Sequence, residues 1–89
     1  MKHHGKARDH NEPEIIKAFE NLGCLVVFLH PPAPDLLVGI KGAWHLVEVK
    51  SAKGVLTEPQ LKLMQRTEGT TLPFHVVRTV AEAIALVRP

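Results

Sequence analysis

Three ionisable residues could carry chemistry together here: Asp35, Glu48 and Lys50. Glu48 and Lys50 end the stretch Trp-His-Leu-Val-Glu-Val-Lys (44–50), which otherwise reads as an apolar strand. Charge inside a sheet is costly unless partnered, so two such groups call for a reason. Side chains alternate along a strand, which puts Glu48 and Lys50 on one face. Asp35 follows Pro34 and opens the neighbouring strand of the same hairpin, so a tight turn brings it within reach of an ion held by Glu48. Two carboxylates and the Val49 carbonyl are the oxygen ligands that Mg²⁺ or Mn²⁺ takes. Lys50 adds a cation that can position or help deprotonate a water and stabilise charge on a phosphate. A Glu-x-Lys at a strand end is by itself an ordinary exposed ion pair. The Pro-Asp opening the preceding strand is what makes the set specific.

The elements that must position these residues follow from pattern. Asn11 reads as a helix N-cap, with Pro13 in the first turn and Gly23 as the terminator, which predicts a helix over about residues 12–22. Ile15, Phe19 and Leu22 recur at spacings of four and three. Cys24 to His30 is a Val- and Leu-rich strand broken by Pro31, Pro32 and Pro34. Asp35 to Lys41 and Trp44 to Lys50 form a hairpin around a Gly42-Ala43 turn. Ser51 to Leu56 is a loop. Thr57 caps a second helix that runs to about Glu68 before Gly69, Phe74 to Arg78 is a fourth strand, and Val80 to Arg88 is a third helix. The order α-β-β-β-α-β-α predicts an α/β fold, a mixed four-stranded sheet flanked by helices.

Length and composition bound the alternatives. The 89 residues make one domain, 1–89, in which residues 1–11 form a polar, basic arm. The net charge of +2 decides little, but its distribution is suggestive. Lys2, Lys6 and Arg8 sit in the arm, and Lys53, Lys62 and Arg66 follow the acidic set, so local patches could hold phosphates. Cys24, the single cysteine, can form no internal disulfide and reads as a buried thiol. The apolar runs are too short to span a bilayer, and no signal-peptide pattern opens the chain, which fits a reducing, cytoplasmic setting. Six histidines are present, but no ligand spacing for structural zinc accompanies them. His45 has the opposite strand parity from Glu48 and should face away from it.

Pro-Asp-Leu-Leu-Val-Gly (34–39), Leu-Val-Glu-Val-Lys (46–50) and Leu-Thr-Glu-Pro-Gln (56–60) together resemble the PD-(D/E)XK nuclease superfamily. More narrowly they resemble its stand-alone virus-type replication-repair (VRR-NUC) group from phages and prophages. Asn-Glu-Pro-Glu-Ile-Ile (11–16) and Thr-Val-Ala-Glu-Ala-Ile (79–84) fit the same pattern, so the resemblance runs from about residue 8 to 88. It implies a restriction-endonuclease-like fold, metal-binding carboxylates at Asp35 and Glu48, and a catalytic lysine at Lys50. It also implies a supporting helix-one acid at Glu14 and a glutamine beside the lysine at Gln60. Both have plainer readings: Glu14 favours the helix dipole from the first turn, and Gln60 is three residues after Thr57, the spacing of a capping box.

These expectations add up to a metal-dependent DNA endonuclease. The resemblance further implies a homodimer acting on branched DNA such as four-way junctions, and the basic patches offer Lys6, Arg8, Lys53 and Lys62 as DNA contacts. The alternatives are a nicking or single-strand-end nuclease, and a catalytically silent DNA-binding module that keeps the fold. A small dimeric transcription regulator lacks its helix-turn-helix pattern.

Overall fold

The structure is a computed structural model that describes residues 9–31 and 33–88. Lys6 and Arg8 lie outside the described residues. Helix α1 spans Glu12–Asn21, strand β1 Leu25–Phe28, β2 Leu36–Ile40 and β3 Ala43–Val49. Helix α2 spans Glu58–Thr67, strand β4 Phe74–Val77 and helix α3 Val80–Val87. One four-stranded sheet runs in the order β1-β2-β3-β4. The first two pairings are antiparallel, and β3 pairs β4 in parallel through the α2 crossover. The α/β class and element order match the expectation from sequence.

One face of the sheet holds the core. Leu36, Val38, Val47, Val49 and Val77 point to it and pack against Ile15 and Phe19 of α1 and Ala83 of α3. Ile15 and Phe19 are fully buried, and truncating such a Phe to Ala costs about 3–5 kcal/mol. α1 ends where the pattern places it. Cys24 N–H donates to Phe19 O and Gly23 N–H to Glu20 O, a Schellman closure that needs the left-handed φ of +90° at Gly23.

The hairpin turn differs from the sequence reading. It falls on Lys41 and Gly42, whose φ values of 50° and 82° are the paired positive angles of a type I′ turn. Ile40 therefore opposes Ala43, and Leu36 opposes Val47. A turn at Gly42-Ala43 would have set Asp35 opposite Lys50. The observed turn sets Asp35 opposite Glu48, because each one-residue displacement of a turn moves the partner by two.

Asn11 is also corrected. It occupies the N-cap position of α1 but makes no side-chain cap bond. Its Nδ2 instead donates to Lys50 O at 3.1 Å and to Arg78 O at 2.9 Å. One amide thus ties the start of α1 to the ends of β3 and β4. Strand β1 is shorter than the apolar run suggested, and Leu25, Val27 and Phe28 remain 60%, 37% and 42% exposed.

Candidate active site

The second face of the sheet carries the acidic set. Asp35 and Glu48 face each other across β2 and β3, with the parity of Leu37, Leu46 and Lys50 and opposite to the core residues. Both carboxylates are buried, Asp35 at 6% and Glu48 at 1% exposure. Backbone and side-chain donors satisfy them. Val49 N–H donates to Asp35 Oδ2 at 2.9 Å, and Asp35 N–H donates to Glu48 Oε1 at 3.2 Å. Each carboxylate therefore fixes the backbone beside the other. Lys50 N–H is directed to Val77 O on the other side of β3, so the Val49 carbonyl points to the Asp35 side with its own N–H.

Glu48 Oε2 faces two further donors. Lys50 Nζ lies 3.5 Å away, and Gln60 Nε2 donates at 2.9 Å. The two sequence readings of Gln60 turn out to be compatible. Its backbone N–H donates to Thr57 Oγ1 at 3.4 Å and its Oε1 accepts from Thr57 N–H at 2.8 Å, which completes a capping box. The capping box uses the amide oxygen and Glu48 uses the amide nitrogen. Cap formation therefore aims the Gln60 donor, although α2 contributes no buried residue of its own.

The donors fit a hard divalent cation. Among the described residues, no group of three His, Cys, Asp or Glu side chains is placed to hold a metal. A cation at this place would rest on Asp35, Glu48, the Val49 carbonyl and water, a set suited to Mg²⁺ or Mn²⁺, which keeps several waters.

Glu14 is not brought into this arrangement. It is solvent-exposed, whereas Glu12 is 3% exposed. Glu12 lies three residues before Ile15 and shares its inward face, and Glu14 is rotated away from that face. The spacing to Ile15 was the signal that could have singled out Glu12. Lys53 and Lys62 are exposed and line separate depressions. Lys53 borders one of about 470 Å³ beside His10, Asn11, Ser51 and Arg78. Arg78 Nη1 donates to Ser51 O at 2.7 Å and Gly54 O at 2.6 Å, and so ties down the loop that carries Lys53.

On the core face, His45 Nδ1 and His75 Nε2 are 3.4 Å apart, so His45 does face away from Glu48. Burial, and secondarily the neighbouring His45, pushes the His75 pKa down. Burial pushes the Cys24 thiol up, which keeps it protonated. Trp44 covers Gly39 so closely that a Cβ there would meet the ring at 2.5 Å.

The mixed sheet presents Pro-Asp and Glu-x-Lys side by side at its strand ends, the arrangement that the sequence resemblance led us to expect. No family model and no curated protein matches the sequence. A solved structure described as a VRR_NUC domain does match, with a TM-score of 0.67 and 31% identity, covering 89% of this chain and 96% of that one. The chain belongs to the VRR-NUC family. No helix of the described residues is long and apolar enough to cross a membrane.

Proposed function

We propose that this domain is a metal-dependent nuclease that hydrolyses phosphodiester bonds in DNA, with branched DNA as substrate. The observation that carries this reading is the facing of Asp35 and Glu48 at two strand ends, with Lys50 and Gln60 both directed at Glu48 Oε2. Asp35 and Glu48 would hold the cation with the Val49 carbonyl. When bound, Mg²⁺ or Mn²⁺ lowers the pKa of water and offsets charge on the phosphate. Lys50 orients the attacking water and donates to the phosphate oxygen on which negative charge grows. Gln60 keeps Glu48 in place while Lys50 turns to the substrate. Glu12, the buried acid of α1, is the candidate for the supporting role that the resemblance assigned to Glu14, because the bond of its neighbour Asn11 to Lys50 O holds the start of α1 at the site end of β3. Lys53 and Lys62 contact flanking phosphates.

A homodimer completes the reading, because paired cuts in a junction need two sites related by a two-fold axis. Leu25, Val27 and Trp44, which share one side of the sheet, offer exposed apolar surface that a second copy would cover. Sedimentation at micromolar concentration is expected to show a dimer; a monomer with and without DNA would remove the paired-cut model. The deciding experiment incubates pure protein with four-way junction, flap, duplex and single-stranded DNA in Mg²⁺, Mn²⁺ or EDTA. Cleavage of the branched DNA in either metal and none in EDTA is expected. No product from any substrate would overturn the reading.

A further inference from the structure

Beside the acidic set, α2 and the second sheet face border an open cavity of about 540 Å³. We propose that it receives one unpaired nucleotide adjoining the phosphate to be cut; this inference rests on the nuclease reading. Its walls are sequence neighbours of the active residues. Pro34 precedes Asp35, Pro59 precedes Gln60, and Leu46 lies two residues before Glu48 on the same face. Two residues along a strand span about 7 Å, so the cavity begins beside the acidic set.

The chemistry of the lining matches a nucleotide at both ends. Pro34, Leu46, Pro59 and Leu63 present apolar surface of the kind that sandwiches an extruded base. Lys62 and Arg66 stand at the exposed rim, where cations meet the phosphates on either side of such a base. A small-molecule pocket of this size is ordinary for a ligand as large as a nucleotide. An apolar peptide would fill the walls but leave the rim cations without counter-charge. A base in a paired duplex cannot enter without unstacking, which costs a few kcal/mol, and an already unpaired base avoids most of that cost. The cavity therefore supplies a physical reason for preferring DNA with unpaired nucleotides at a branch, without any contact that reads sequence.

The test places 2-aminopurine at the nucleotide flanking the mapped cut, in a junction that carries one unpaired nucleotide there at its branch and in a fully paired duplex. Fluorescence is read on binding in Ca²⁺, and cleavage in Mg²⁺. The wild-type protein should raise the junction signal several-fold and the duplex signal little. Ala33 also lines the cavity, and Ala33→Leu, which adds bulk there, should remove most of the rise and slow junction cleavage at least tenfold with its melting temperature kept. The double change Lys62→Ala, Arg66→Ala, at exposed positions that cannot unfold the core, should also reduce the rise. Cleavage by the wild type with no rise, or a rise unchanged in both variants, overturns the inference. Failure of the wild type to cut any DNA overturns the function reading beneath it.

Discussion

Gln60→Glu separates the two roles of one side chain. The new carboxylate can still accept from Thr57 N–H, so the capping box survives. What changes is the contact with Glu48 Oε2, where a 2.9 Å donor becomes a second acceptor. A hydrogen bond to a charged group is worth about 1.5–3 kcal/mol. Two like charges 4 Å apart at an effective dielectric of 20 repel by about 4 kcal/mol, and the half-exposed position of residue 60 reduces this to about 2 kcal/mol. The repulsion is avoided if the pair shares a proton, which raises one folded-state pKa above the unfolded glutamate value of about 4.3. Between those two values the folded state holds the extra proton. The variant should therefore approach wild-type stability near pH 5 and lose stability as pH rises through the raised value. At pH 8 the two contributions together should reach about 3.5–5 kcal/mol, or roughly 18–27 °C in Tm for a domain of this size. Thermal unfolding at pH 5, 6.5 and 8 in EDTA measures it, and Mn²⁺ should recover part of the loss. Gln60→Ala, which removes the donor and half of the cap but adds no charge, should show a smaller loss of about 2–4 kcal/mol that depends less steeply on pH. Equal Tm values for wild type and Gln60→Glu at pH 8 would refute the contact between Gln60 and Glu48.

Lys50→Ala should reduce cleavage about 10²–10³-fold while DNA binding in Ca²⁺ stays close to wild type; cleavage at near the wild-type rate would reduce Glu-x-Lys to a charged strand end. Glu12→Gln should lower both metal-induced stabilisation and cleavage, and Glu14→Gln should change neither beyond error, as read by Tm with and without Mn²⁺; the reverse order would restore Glu14 to the site. His75, whose folded pKa lies below its usual 6.5, contributes stability that is present above that value and lost as pH falls below it. His75→Gln should accordingly flatten the acid-side decline in Tm between pH 7.5 and 5.5, and an unchanged decline would place the titrating group elsewhere.

The sequence by itself determined the element order and the identity of the acidic set, because both are local. Helix periodicity, capping residues and strand alternation act over a few residues, and parity alone correctly sent His45 to the face opposite Glu48. Spacing could not settle which groups meet. The partner of Asp35 depended on a type I′ turn at Lys41-Gly42 rather than Gly42-Ala43, a one-residue matter that decides between Glu48 and Lys50. That Glu12 is buried and Glu14 exposed follows from which side of α1 lies on the sheet, a side that the spacing of Glu12 to Ile15 already indicated. Asn11 has the residue type of a cap, yet its amide ties together two strand ends distant in sequence. Gln60 serves its local cap and Glu48 at once, because a side-chain amide has an acceptor and a donor that point in different directions. In each case the sequence offered several partners of the right type; the turn geometry selected the partner of Asp35, and the packing of α1 and α2 on the sheet selected those of Asn11 and Gln60.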